Sequence, residues 1–261
     1  GKNGVIATDH TYHGNTATVS QLSLTNSPRI GNKDNIRYVP APDSYRPLGG
    51  KAGMDHGYAF AAQVKKMIED LESSGHGFSA IIVCPFFANE GFPNLCDGFL
   101  DPAVKLVHDA GGIVIADEVQ PGFGRLGSHM WGHQKIGLKP DIVTLGKPMG
   151  NGYPIAGVMT SPEILSAFQD SFRYFNTFGG NPVACAAGEA VLDILGEEKL
   201  VERALDVGSH SLERLKDLSE RYTCIGDVRG SGLFFGAELV VDPNTREPDP
   251  NLAQKVVNEM R

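Results

Sequence analysis

The sequence is poor in the features that mark several function classes. It holds four cysteines, Cys84, Cys96, Cys185 and Cys224, with no CxxC pair and no zinc-ligand spacing, which excludes a disulfide scaffold and a zinc module. Three of the four lie in apolar runs, so they read as buried thiols in a reducing cytosol. No apolar run approaches the roughly 20 residues of a membrane span, and the N-terminal stretch has no secretory pattern. The expected location is therefore cytoplasmic. Basic side chains are also in deficit, with 23 Lys and Arg against 31 Asp and Glu and a net charge of −8. That balance argues against nucleic acid or an anionic membrane as the main partner. Internal repeats and low-complexity tracts are absent. What remains is an ordinary globular composition, and 261 residues suffice for one large domain or one plus part of another.

Short β-branched runs alternate with amphipathic stretches, which predicts an α/β fold with a mainly parallel sheet. Strands are expected at 4–8, 80–84, 113–117, 141–145 and 155–159, and helices at 58–73, 101–110, 162–170, 182–195 and 199–221. Asp101 and Pro102 read as an N-cap with proline at N1, and Gly111-Gly112 as the stop of that helix. Segment 26–57, with four prolines among Gly, Asn and Asp, predicts a long irregular surface excursion. From about residue 196 the character changes. A long amphipathic helix leads to two extended runs, 224–236 and 237–241, and then to a last helix. The expected division is a large domain over 1–195 and a linker helix with part of a small domain over 196–261.

Two residues at strand ends carry the chemistry. Asp117 ends the apolar run Ile113-Val114-Ile115-Ala116. Lys147 follows Asp141-Ile142-Val143-Thr144 and sits between Gly146 and the Gly150-Asn151-Gly152 cluster. In an open parallel sheet, ligands bind beyond the carboxyl ends of the strands. A lone lysine there is a candidate Schiff-base former, and a carboxylate on a nearby strand is the partner that a pyridinium nitrogen needs. Alone, Asp117 reads equally as a helix cap or a surface carboxylate. Together the two residues point to pyridoxal 5'-phosphate.

The surrounding blocks carry a family resemblance. They are Thr11-Tyr12-His13-Gly14-Asn15-Thr16, Asp117-Glu118-Val119-Gln120 with Gly122-Phe123-Gly124-Arg125, Gly146-Lys147 with Gly150-Asn151-Gly152, Thr177-Phe178-Gly179-Gly180-Asn181-Pro182, and Asp227-Val228-Arg229-Gly230-Ser231-Gly232. In this order they resemble the class III aminotransferases of the fold-type I pyridoxal-phosphate group, nearest the alanine–glyoxylate aminotransferase 2-like branch. The resemblance implies a fold-type I large domain plus part of a small C-terminal α/β subdomain. It implies Lys147 as covalent anchor and base, and Asp117 on the ring nitrogen. Tyr12 and Val119 would lie on the two ring faces, with His13 beside Tyr12 in the cofactor-binding set. Gln120 would bond the phenolic oxygen, and Thr177 would reach the partner subunit's cofactor phosphate in a homodimer. Arg229 would bind the substrate carboxylate. The implied reaction moves an amino group from an amino acid or amine donor to a small keto-acid acceptor such as pyruvate or glyoxylate. The same branch contains phospholyases that act on amino-alcohol phosphates, and a non-catalytic module is a third reading.

Three departures from the family pattern bear on these expectations. The family's Glu-Pro pair after the strand at 80–84 reads Cys84-Pro85 here, which predicts an unmasked Arg229 and a carboxylate-bearing substrate in both half-reactions. A phosphate-binding turn is expected upstream of the Tyr12 block, beyond where this sequence starts. The family's N-terminal segment and the end of its C-terminal domain are likewise missing, so the sequence reads as a core cut at both ends. Gly122-Phe123-Gly124-Arg125-Leu126-Gly127 spells a dinucleotide pattern. It stands too far from its strand, however, and lacks the acidic residue that closes a following strand. The pairs His10/His13 and His129/His133 have no third ligand nearby and read as packing or solvent-facing histidines.

Overall fold

The computed structural model describes residues 1–24 and 33–261. Among the described residues six strands form one sheet in the order β2-β1-β3-β4-β5-β6. They are β1 (Gly4–Thr8), β2 (Ile36–Val39), β3 (Phe78–Val83), β4 (Ile113–Asp117), β5 (Ile142–Leu145) and β6 (Gly157–Thr160). All neighbours pair in parallel except β6, which runs antiparallel to β5. The mainly parallel α/β sheet is thus as expected. Segment 26–57 is not wholly irregular. Its first residues reach outside the described ones, but Ile36–Val39 adds an edge strand beside β1 with Val5 opposite Ile36.

The sheet is buried on both faces because alternate residues of each strand point opposite ways. Ile6, Ile81, Val83, Val114 and Ala116 face one cluster, whereas Ala7, Ile82 and Ile36 face another with Leu22. Helix α1 (Met54–Ser73) lays Phe60, Val64, Ile68 and Leu71 on the first cluster, a spacing of three to four residues that keeps them on one helical face. Helix α2 (Asp101–Asp109) adds Ala103 and Val107. Asp101 is the first helical residue and Leu100 the N-cap, one position earlier than expected, while Gly111 takes the left-handed φ of +73° that ends the helix.

Between β4 and β5 lies the short α3 (Gly132–Lys135). It is tied down by Glu118, fully buried, whose carboxylate accepts bonds from the Gly132 and His133 amides and lies 2.7 Å from His133 Nδ1. Buried carboxylates need such donors. The chain continues through α4 (Pro162–Ser171), α5 (Pro182–Glu197) and α6 (Leu200–Arg221). A second sheet follows, with β7 (Ile225–Ser231) antiparallel to β8 (Phe234–Asp242) and β8 to β9 (Glu247–Pro248), before α7 (Pro250–Glu259). The β7–β8 turn is fastened to the first unit, where Leu233 N–H donates to the Arg125 carbonyl and Ser231 Oγ to the Leu126 carbonyl.

Of the four cysteines, Cys84 alone is buried. Cys185 is exposed on α5, because that helix shows most of its apolar side chains to solvent in the single chain. The expectation of buried thiols fails there.

Candidate active site

β4 and β5 are adjacent parallel strands with Asp117 paired to Thr144, so the segments that leave their carboxyl ends share one edge of the sheet. Asp117 closes β4, and Lys147 stands two residues beyond β5. Lys147 adopts φ +31°, which a non-glycine residue rarely does, and it opens a short 3-10 turn, Lys147–Gly150. Gly146 lies against Val119, which a Cβ would meet at 3.5 Å.

Tyr12, His13, Gly14, Cys84, Asp117, Val119, Gln120 and Lys147 line one cavity of about 180 Å³. Six expected site residues therefore come together at or beyond the ends of β1, β4 and β5, and Cys84 joins them from the end of β3. Thr177 and Arg229 stand outside it. Thr177 lies in the exposed stretch before α5. A larger open groove of about 680 Å³, lined by Met130, Leu195, Val201 and Leu205 among others, carries no comparable set of functional groups.

The carboxylate of Asp117 is oriented from three sides. Oδ1 accepts from the Val119 amide at 3.1 Å and from Thr144 Oγ1 at 3.3 Å, and Oδ2 lies 2.7 Å from His13 Nδ1. The His13 side chain is 1% exposed, so it is neither a loose packing residue nor a solvent-facing one. It is the second side of the Asp117 site. Its Nε2 lies 2.9 Å from Thr11 Oγ1. The Gln120 side-chain amide donates to Asn89 Oδ1 at 3.1 Å, while Asn89 Nδ2 donates to the Tyr12 carbonyl at 3.4 Å. Asn89 and Thr144 escaped the sequence reading. Asn89 lies in the Cys84–Gly91 stretch that departs from the family pattern, which was the available signal. Burial pushes the Cys84 thiol up to about 12, with the nearby Glu90 and Asp117 charges adding to the rise, so the cavity wall is a neutral thiol.

Arg229 corrects one expectation. Its Nε donates to the Gly91 carbonyl at 2.6 Å, one terminal nitrogen to Asp227 at 2.9 Å, and the other to Glu238 at 2.7 Å. Glu238 is shared with Arg46 at 2.6 Å. Arg229 is masked after all. The masking carboxylates come from its own hairpin, because β7 pairs with β8 in a register that sets Asp227 against Glu238. Cys84 therefore gives no ground for a carboxylate-bearing substrate in both half-reactions.

The cavity fits the ring of pyridoxal phosphate. It offers an oriented carboxylate for a ring nitrogen, an amine for an aldehyde, an amide donor, and Tyr12 and Val119 as walls. The sequence profile of the aminotransferase class-III family matches residues 1–260. The chain belongs to the class III aminotransferases. That family is one of pyridoxal-phosphate enzymes with the fold-type I architecture, and the sheet described above is of this kind. Among its relatives, an alanine–glyoxylate aminotransferase 2-like protein of Drosophila melanogaster is 40% identical over 98% of this chain and 53% of its own length. An ethanolamine-phosphate phospho-lyase homolog 1 of Caenorhabditis elegans is 37% identical over 98% of this chain and 58% of its own. A solved phospholyase from Arthrobacter in complex with phosphoethanolamine superposes with a TM-score of 0.91 at 38% identity, covering 100% of this chain and 61% of that one. The chain thus spans 53% to 61% of the length of these relatives. No group of three or more His, Cys, Asp or Glu suited to a metal occurs among the described residues.

Proposed function

We propose that this chain carries the cofactor seat of an enzyme that transfers the amino group of an amino acid or amine to a small keto acid. The observation that carries the reading is the single cavity in which Asp117 and Lys147 meet with Tyr12, Val119 and Gln120. When bound, pyridoxal phosphate supplies an electron sink that makes the proton on the amine-bearing carbon of the substrate removable. Lys147 is the residue that would hold the cofactor's aldehyde carbon through Nζ, and its amine would move that proton as general base and acid. Asp117, held by three hydrogen-bond partners, would keep the ring nitrogen protonated. Gln120 has one amide proton on Asn89 and a second left for the phenolic oxygen. Tyr12 and Val119, as cavity walls, would cover the faces of the ring and keep water from them.

The reading includes a homodimer in which Thr177 meets the partner's cofactor phosphate. Its support is an aromatic stretch flanking Thr177, with Phe172, Tyr174, Phe175 and Phe178 between 64% and 83% exposed in the single chain.

A second reading, elimination of phosphate from an amino-alcohol phosphate, is favoured by two observations. Arg229 already answers two carboxylates and a carbonyl, so its guanidinium is not free for a substrate carboxylate. The likeness to the Arthrobacter phospholyase over the whole chain points the same way. Incubation of the enzyme with alanine and glyoxylate, and separately with phosphoethanolamine and no keto acid, decides. Glycine and pyruvate formation supports transamination, phosphate release supports the lyase, and neither product would overturn both.

A further inference from the structure

The loop from Cys84 to Phe92 is tied down on both sides beside the cofactor seat. Phe87 takes a left-handed φ of +49° with its ring buried, and its carbonyl accepts from the Glu90 and Phe92 amides at 3.1 Å. The Glu90 carboxylate accepts from Thr8 Oγ1 at 2.6 Å, and the Gly91 carbonyl accepts from Arg229 Nε at 2.6 Å. Asn89 stands immediately before these two anchors, so its backbone has little freedom. Its side chain bridges Gln120 and Tyr12, which both line the cavity.

The direction of both hydrogen bonds follows from the first acceptor. A carboxamide carries an acceptor oxygen at one end and a donor nitrogen at the other, and its neighbours decide which end points where. The Tyr12 carbonyl can only accept, so it takes the Nδ2 end of Asn89, at 3.4 Å. That turns Asn89 Oδ1 to Gln120, which answers with Nε2 at 3.1 Å. With its amide reversed, Gln120 would set its own oxygen against Asn89 Oδ1, two acceptors face to face. We propose that Asn89 is a positioning residue. Tied to the Tyr12 carbonyl, it selects the Gln120 orientation whose second amide proton is available to the cofactor's phenolic oxygen.

The inference rests on the reading of Gln120 as the phenolic-oxygen partner and adds what sets its orientation. An untethered glutamine amide on the cavity wall can turn either end inward, and its oxygen would repel a phenolate that its N–H would hold. A donor on the phenolic oxygen draws electron density from it, which lowers the pH at which the lysine-bound cofactor loses its proton. An asparagine that merely filled the loop would leave Gln120 indifferent to it.

The test pairs a cofactor-free readout with a spectral one. In ¹⁵N–¹H NMR spectra of the cofactor-free protein, the Gln120 side-chain amide is assigned by its loss in Gln120→Leu. One of its protons is expected downfield of a free glutamine amide and slow to exchange in the wild type, and at the free-glutamine position in Asn89→Leu. Asn89 is exposed, and Asn89→Ala serves equally if leucine perturbs the fold. With pyridoxal phosphate added, the pH midpoint of the visible band should rise by up to about one unit in Asn89→Leu, the tenfold scale of one hydrogen bond. The rise should vanish in the Gln120→Leu background, because the two residues act as one unit. A Gln120 amide unchanged in a folded Asn89 variant, an unmoved midpoint, or a shift of full size without Gln120 overturns the proposal. If no band forms in any variant, the cofactor reading fails, and the cofactor-free spectra still decide whether Asn89 holds Gln120.

Discussion

At the residue scale, the account assigns separate tasks to side chains that touch the same space. Lys147→Ala removes both anchor and base, so turnover should fall by about 10²–10⁴-fold or more, measured by steady-state kinetics with any accepted substrate. Asp117→Asn keeps the shape but removes the charge. It should cost about 10²–10³-fold in kcat, the scale of losing one oriented electrostatic group, with a much smaller change in far-ultraviolet circular dichroism. Cys84, buried and pushed up to about 12, should resist iodoacetamide in the native protein and react after unfolding, read by peptide mass spectrometry.

Glu90 gives a pH prediction with a defined sign. Its folded-state pKa is raised above an unfolded value of about 4.3, so the native state binds the extra proton between the two. Stability contributed by this group falls as pH rises through that window. Urea titrations at pH 4 and pH 7 should show a smaller fall for Glu90→Gln than for wild type.

Much of the site is legible in the sequence because each role needs a particular residue type. A lysine and an aspartate at adjacent strand ends, with a tyrosine, a glutamine and a valine beside them, leave little choice of chemistry. The rest depends on three-dimensional neighbours that spacing does not disclose. The masking of Arg229 requires the β7–β8 register, which brings Asp227 and Glu238 to one hairpin face. His13 belongs to the Asp117 site through a contact spanning 104 residues of sequence.

At the element scale, the long apolar-periodic segments declared themselves. β1, β4, α2, α4, α5 and α6 lie within a residue or two of their expected bounds. The misses were short. β2 is four residues within a stretch rich in Pro, Gly, Asn and Asp, and its strand identity comes from pairing with β1 rather than from its own pattern. α3 is a single turn held by Glu118. Helix α1 begins at Met54 rather than 58, because His56 and Gly57 are buried and Gly57 packs against the Phe99 backbone.

The join between α6 and the β7–β8 turn is tight. A Cβ on Gly208 would overlap the backbone of Gly232, which itself is pressed against the backbone of Arg125 and Leu126. Backbone cannot yield as a side-chain tip does. Gly208→Ala should therefore destabilise by about 1–3 kcal/mol, seen as a lower urea midpoint. An alanine at Gly196, where nothing lies within 4 Å, should not.

At the scale of the whole molecule, the exposed face around Thr177 and the site edge belong to one problem. Phe175 is 83% and Phe178 79% exposed in the single chain, a cost that association in a dimer would remove. Sedimentation velocity should give twice the monomer mass for wild type, and Phe175→Asp with Phe178→Asp should shift the distribution toward monomer. The chain covers 53% and 58% of two curated relatives, so substrate selection is best measured on the longest form of the protein obtainable.

The central claim is that Lys147 and Asp117 frame a pyridoxal-phosphate seat. It is tested most directly by adding the cofactor to purified protein, recording the visible spectrum, reducing with borohydride and mapping the modified peptide. The account predicts a visible band and a pyridoxyl group on Lys147, both absent in Lys147→Ala. A label on another lysine, or none at saturating cofactor on folded protein, would contradict it.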